Sequence, residues 1–471
     1  MKRFLSILVC LCVGLRLSAE VKYVFFLIGD GMGPIQVTAA EMYLAELDSA
    51  IGRKQLHMTQ LPYSGQVATF SKSNGITDSA AAGTALATGC KTNNGTLGLN
   101  AEGDTLTTIA EKLKAQGWGV GLLTTVAIDH ATPAAFYANV KKRDSYYDVG
   151  MQLVYSDFDF FGGAGLHRPA PPEGTTGPYL YDVIEEHGYT IARGLQDAQS
   201  KEDVKKLILV QSNDITDRRK KSTGNFPYMI DGRPEELQLK TLTPYAINFL
   251  QEHNERFFLM VEGGMIDYAG HGRDGAANIL ETLDFDDAVG AALAFYQQHP
   301  DETLIVITAD HETGGMALGN SDYTLNLKHL QHQHCSKWVL NDELTDLFKG
   351  KKKPTWQQVR TILEKRLDFY SGVTISDKED ADLQAAFHKA VKSKGKRPYR
   401  EMYKNVDALC SIAVSILDRQ AKLGWTSYGH TATTVPVFAI GQGAEQFTGW
   451  MDNTEIAPKI MSILEGKKDR E

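Results

Sequence analysis

The amino-acid sequence predicts an α/β doubly wound fold: a largely parallel sheet flanked by helices, with an inserted helical subdomain. Short runs rich in Val, Ile, Leu and Phe lack polar alternation, as strands do when helices cover both faces of a parallel sheet. Helical patterns lie between these runs, and alternation of the two element types defines layered α/β architecture. A charged, helix-patterned stretch at about residues 320–424 then interrupts the alternation.

The elements follow in chain order. Residues 1–19 read as an export signal that is cleaved, which makes the protein periplasmic or secreted. Lys2 and Arg3 precede the apolar run Phe4 to Leu15, and Ser18-Ala19 offers a small-residue cleavage site. That run of 12 residues is too short to span a bilayer, and no later one reaches 18. Strands are expected at Tyr23 to Ile28, Val120 to Thr125, Leu207 to Gln211, Phe257 to Val261, Leu304 to Thr308 and Val435 to Ile440. Helices are expected from Thr105 to Ala115 before Gly117, from Leu180 to Glu186 before Gly188, and from Ile279 to Tyr296. Within the insertion, Trp356 to Tyr370 and Asp377 to Ser393 carry helical patterns, and the basic segment Lys389 to Lys404 reads as a solvated helix face. The remaining chain, 20–471, reads as one large catalytic domain around that insertion, without internal repeats.

Composition removes several classes of function. With 42% apolar and 23% charged residues, 43 Gly and 15 Pro, the 471-residue chain is neither disordered nor fibrous. Its 49 Lys and Arg against 58 Asp and Glu leave a net charge of −9, which argues against a sequence-independent grip on nucleic acid. An anionic substrate would need local positive charge, from metals or a few arginines. Signal cleavage takes away Cys10 and Cys12, so Cys90, Cys335 and Cys410 allow at most one intrachain disulfide. Cys410 sits on the apolar stripe Val406, Leu409, Ala413 and Ile416, where a buried thiol is expected.

Metal-ligating residue types gather at the ends of predicted strands, where parallel sheets build their sites. The first strand leads into Gly29-Asp30-Gly31, in which Asp30 supplies a hard oxygen. The strand at Phe257 leads into Glu262, then Asp267 and His271; a spacing of four puts that pair on one face of a helical turn. The strand at Leu304 runs into Asp310-His311, and His430 stands just before the strand at Val435. This set matches two N/O zinc sites and one oxygen-rich magnesium site. By contrast His329, His332, His334 and Cys335 follow no predicted strand and read as loop residues. Ser79, after Asp78 and before an Ala-rich helix start, is the candidate nucleophile, placed where free N–H groups stabilise an alkoxide or phosphate. No Gly-x-Ser-x-Gly elbow competes with it.

Taken together these motifs resemble the alkaline phosphatase family over nearly all of the chain beyond the signal. The resemblance makes Thr77-Asp78-Ser79-Ala80-Ala81 the nucleophile segment and Asp30 a bridge between the second zinc and the magnesium. It gives Glu262 to the magnesium, Asp267, His271 and His430 to the first zinc, and Asp310 and His311 to the second, with Ser79 beside them. Thr132, in His130-Ala131-Thr132-Pro133-Ala134, becomes the third magnesium ligand, and Arg143 the phosphate clamp. His130 and Tyr268 stand where the best-known bacterial pattern has Asp and Lys, which leaves the identity of the third metal open. The implied reaction is hydrolysis of phosphate monoesters to alcohol and inorganic phosphate through a covalent phosphoserine. Broad specificity, two zinc ions and one magnesium ion per chain, and a homodimer come with it. A diesterase or sulfatase on the same two-metal scaffold is the competing expectation, against which Arg143 favours a dianionic monoester.

Overall fold

The computed structural model describes residues 20–211, 224–319, 322–350, 353–392, 399–400 and 405–466. The expected export signal and most of the basic segment, 393–398 and 401–404, lie outside those residues. Ten strands form the main sheet: β1 (Tyr23–Ile28), β2 (Tyr63–Ala68), β3 (Gly119–Thr124), β4 (Phe160–Gly163), β5 (Thr190–Arg193), β6 (Leu207–Val210), β7 (Phe257–Glu262), β8 (Thr303–Thr308), β9 (Val435–Gly441) and β10 (Gly449–Asp452). Their order across the sheet is β10-β2-β9-β8-β1-β7-β3-β4-β6-β5.

All six expected runs are strands of this sheet. Its centre is apolar on both faces: β1, β3, β7 and β8 are buried along their whole lengths. Phe25, Phe26, Phe257 and Phe258 are completely buried, each contributing roughly 1.5–3 kcal/mol. The four strands without a sequence signal are short or partly solvated, with Gly at positions 65, 162, 163 and 449. The helix expected from Thr105 begins at Ile109, because Thr108 is its N-cap. The Thr108 hydroxyl accepts from Glu111 N–H, and the Glu111 carboxylate accepts from Thr108 N–H.

Register aligns the carboxyl ends of the central strands. Ile28 lies opposite both Glu262 and Thr308, and Thr124 opposite Glu262. β9 alone runs against its neighbours β8 and β2. Its first residues therefore start at the edge where β8 finishes, which brings the preceding His430 to the same edge as Asp310.

Residues 335–417 contribute a second apolar cluster, in which Leu340, Leu344, Val359, Leu363, Leu383, Leu409 and Leu417 meet. Four helices supply most of it: Lys337–Lys349, Trp356–Leu367, Asp377–Lys392 and Ala408–Gln420. Cys335 and Cys410 are buried, Cys410 Sγ donates to the Lys337 carbonyl at 3.2 Å, and among the described residues Cys90, Cys335 and Cys410 form no disulfide. Among the described residues, no helix is long and apolar enough to cross a membrane.

Candidate metal centre

The carboxyl edge of the sheet assembles the site. The loop after β1 carries Asp30 and turns at Gly31, whose φ of 74° is left-handed. A Cβ at Gly31 would lie 2.9 Å from Asp267 Cα, so only glycine lets these backbones approach. Gly31 N–H donates to Asp310 Oδ1 at 3.1 Å, tying the β1 loop to the β8 loop. Asp267 and His271 occupy the helix Met265–Gly272 with Nε2 to Oδ1 at 3.3 Å, as their spacing predicts.

Ligand atoms converge in three groups: Asp267 with His311 and His430; Asp30 with Asp310 and His311; Asp30 with His130 and Glu262. Their histidines are oriented by the groups behind them. His271 Nδ1 meets the Tyr428 carbonyl and His430 Nδ1 the Thr77 carbonyl at 2.8 Å, so both Nδ1 atoms carry protons. The Thr313 hydroxyl donates to Asp267 Oδ1 at 2.6 Å and so accepts from His311 Nδ1 at 3.2 Å. The Nε2 lone pairs therefore turn inward. His271 Nε2 and His430 Nε2 face each other at 3.2 Å, with Asp267 Oδ1 at 3.3 and 3.7 Å. His311 Nε2 lies 3.1 Å from Asp310 Oδ2, 3.4 Å from Asp30 Oδ1 and 3.1 Å from Ser79 Oγ.

Such an arrangement calls for cations. Asp30 Oδ1, Asp310 Oδ2 and Glu262 Oε1 are buried and make no hydrogen bond, a costly state for carboxylates unless a metal completes them. Burial, then Asp310, Asp267 and Glu262, pushes Asp30 well above the usual carboxylate range. Burial likewise pushes Glu262 up to about 7, against the Thr124 hydroxyl that bonds it. Burial, with His311 and His271 nearby, pushes His430 down to about 3. For Asp267 burial is outweighed by His271, His430 and His311, which hold its carboxyl below the usual range. Carboxylate and imidazole donors in this mixture suit divalent cations held by nitrogen and oxygen ligands.

Ser79 opens the helix Ser79–Thr88, and Asp78 caps it by accepting from Ala81 N–H at 3.0 Å. Arg143 is clamped by two partners: Nη1 donates to Asp78 Oδ2 at 3.2 Å and Nη2 to His130 Nε2 at 3.1 Å. Accepting that bond requires neutral His130, and burial with Arg143 lowers its pKa well below 6.5. Thr132 Oγ1 donates to Asp30 Oδ2 at 3.3 Å. The Tyr268 ring stands 5.8 Å edge-on from His130 and 5.8 Å from Trp338. Every sequence-selected site residue is thus at one edge of the sheet. His130 lies closer to the centre than a supporting role requires, inside the third group of ligand atoms.

The sequence reading missed Thr124 and Thr313, hydroxyls that bond Glu262 and Asp267 from β3 and from the turn after β8. Thr124 ends a strand beside Glu262, a signal that pairing could have exposed. In the histidine tract, His332 and His334 both bond the Asp368 carboxylate at 2.9 Å.

Fold and site define a metal-binding α/β hydrolase whose candidate nucleophile and candidate ligands share the carboxyl edge of one sheet. A family model for alkaline phosphatase matches residues 21–156 and 221–466, and the chain belongs to that family. It is 30% identical over 460 residues to alkaline phosphatase 4 of Bacillus subtilis, covering 96% of this chain and 90% of that one. The cold-active alkaline phosphatase of a Shewanella species superposes with a TM-score of 0.77 at 30% identity, covering 94% of this chain and 99% of that one. A variant of the enzyme from the Antarctic bacterium TAB5, with a histidine changed to aspartate and magnesium bound in its M3 site, superposes with a TM-score of 0.64 at 26% identity. That alignment covers 95% of this chain and 98% of the other. The chain is accordingly an enzyme of a metal-dependent phosphatase family.

Proposed function

We propose that the protein hydrolyses phosphate monoesters, with broad specificity, through a covalent phosphoserine formed on Ser79. The observation that carries this reading is the convergence on Ser79 Oγ: His311 Nε2 at 3.1 Å and, beyond it, Asp30 and Asp310. Asp267, His271 and His430 would hold one zinc, and Asp30, Asp310 and His311 a second, adjoining Ser79. Asp30, Glu262 and Thr132 would hold a magnesium ion. When bound, the cations lower the pKa of coordinated oxygens and neutralise charge on the phosphoryl group.

The chain's own residues do the rest. The helix start presents Ser79 Oγ at its positive end, where an oxyanion is favoured. Asp78 and neutral His130 hold the Arg143 plane, so its fork addresses two non-bridging oxygens together. That demand selects a dianionic monoester over a diester, which offers fewer free oxygens, and comparing a monoester with its methyl diester tests the choice. Asp78, Ser79, His130 and Arg143 address the phosphoryl group rather than its substituent, which supports breadth. Trapping phosphate on Ser79 in acid-quenched enzyme, located by mass spectrometry, is the direct test; turnover without any such label overturns the covalent route.

One observation favours a second reading of the third position. His130 adds an imidazole to Asp30 and Glu262, and imidazole suits zinc better than magnesium; in this reading its one lone pair goes to the metal instead of accepting from Arg143. Three zinc ions per chain rather than two would select it. Export to the periplasm or medium is supported by the signal-like residues 1–19, and a homodimer by membership of the family.

A further inference from the structure

Beside the metal-ligating groups lies a cavity of about 470 Å³ that the proposed reaction does not use. Arg273, Lys337, Asp418, Arg419, Trp425 and Tyr428 contribute to its walls. It adjoins the site directly. Arg273 follows His271 by two residues, and the Tyr428 carbonyl is the partner of His271 Nδ1. Tyr428 is 44% exposed and stands at the rim between the two.

Arg273 is the distinctive feature. It closes the helix Met265–Gly272 in the left-handed conformation, φ 48°, a steric cost that long side chains rarely bear. Its Nε donates to the Ser427 carbonyl at 2.9 Å, and its guanidinium lies 3.4 Å from the centre of the Tyr428 ring. Among the described residues, its Nη1 and Nη2 have no hydrogen bond or ion pair. A guanidinium fixed in plane with its outer fork open is preorganised for a bidentate oxyanion.

The surroundings agree in sign. Lys337 is buried with Nζ 2.7 Å from the Gly272 carbonyl, and Arg419 adds a third cation to the lining. Asp418, the one acid in that lining, accepts from Trp425 Nε1 at 2.8 Å, and burial pushes its carboxyl up to about 8. Arg273, Lys337 and Arg419, the last paired with Glu379 at 3.5 Å, thus outnumber Asp418 in the lining of a chain whose net charge is −9. Tyr428 and Trp425 supply flat apolar surface.

We propose that this cavity is a subsite for a second phosphoryl group carried by the substrate's leaving group, anchored by Arg273, with Tyr428 and Trp425 flanking a ring between the two phosphates. The proposal rests on the phosphomonoesterase reading and narrows its substrate class. A free phosphate acting as an effector shares the same chemistry, and the experiment separates the two.

The holoenzyme is assayed with adenosine 5′-monophosphate and adenosine 3′,5′-bisphosphate. The bisphosphate should show a KM about five-fold lower at similar kcat, and Arg273→Gln should erase the difference. Ser415→Phe, which narrows the cavity without touching Arg273, should also erase it while leaving turnover of 4-nitrophenyl phosphate intact. Equal KM values in the parent, or a difference that survives both variants, would overturn the subsite. Calorimetric titration with inorganic phosphate covers the effector case: a second, Arg273-dependent equivalent without any preference for the bisphosphate overturns the leaving-group assignment. Failure to hydrolyse either ester would remove the phosphomonoesterase reading and this proposal together, whereas hydrolysis of both with equal KM removes this proposal alone.

Discussion

Arg143→Lys isolates what the guanidinium plane contributes. Arg143 is held by Asp78 Oδ2 at 3.2 Å and His130 Nε2 at 3.1 Å, with its side chain 18% exposed. A lysine keeps the charge but offers one nitrogen, so it can satisfy Asp78 or reach the phosphate in one direction, and it cannot present two parallel donors. One hydrogen bond to an ionised group is worth about 1.5–3 kcal/mol. At about 1.4 kcal/mol per factor of ten, kcat/KM should fall by roughly 10- to 150-fold. The assay is steady-state hydrolysis of 4-nitrophenyl phosphate at one pH and ionic strength, with zinc content measured in both proteins. A lysine variant within about threefold of the parent, zinc being equal, would refute the claim that the two-pronged clamp matters.

Ser79→Ala should abolish the acid-stable phosphoenzyme while zinc content stays near normal, because Asp30, Asp310 and His311 remain; rapid-quench labelling with metal analysis checks both. Chelation should abolish activity, with zinc plus magnesium restoring it and magnesium alone failing; acid should inactivate by the same route, since the inward Nε2 lone pairs and carboxylates must be unprotonated to bind metal. Tyr268→Lys should tighten inhibition by inorganic phosphate several-fold, since it adds a cation beside His130, whose ring is 5.8 Å away; an unchanged inhibition constant rejects that electrostatic account. For Asp418, whose folded pKa is raised to about 8, stability is complete below the ordinary carboxylate pKa and is lost as pH rises through 8. Asp418→Asn keeps an acceptor for Trp425 Nε1 but cannot ionise. Its melting temperature should gain on the parent's between pH 5 and about 9, and parallel curves would contradict the assignment.

The legible parts of the fold were those where one residue type serves one purpose. β1, β7 and β8 are buried on both faces, so their sequences are unbroken apolar runs and their ends fall within a residue of expectation. β2 and β10 sit toward the sheet margin with mixed burial, and their composition blends into loop. In the site, Asp30, Asp310 and His311 were readable because they follow strands directly, and Asp267 with His271 because helical spacing pairs them. Local order could not reveal that β9 runs antiparallel, which is what makes a histidine before a strand equivalent to an aspartate after one. Thr313 was equally hidden. Its role depends on a hydroxyl meeting Asp267 and His311 across a turn, and threonine is common in turns. Carbonyl partners such as Thr77 and Tyr428 are invisible to residue-type reasoning, since every residue has one.

The reversed strand also sets an order of assembly. During synthesis Ser79 and the three segments that carry Asp30, Glu262 with Asp267, and Asp310 emerge well before His430, yet the proposed first zinc has only Asp267 and His271 until β9 docks between β8 and β2. A nascent or truncated chain ending in the helical insertion would therefore hold that ion weakly, and hydrolytic competence would arrive late. Such an ion would fasten the chain's last third to its middle across a strand pairing of high contact order, the slow kind to form. Metal release should then loosen the β9, β2 and β10 side of the sheet first, which deuterium exchange would register there ahead of the β4-β6-β5 side.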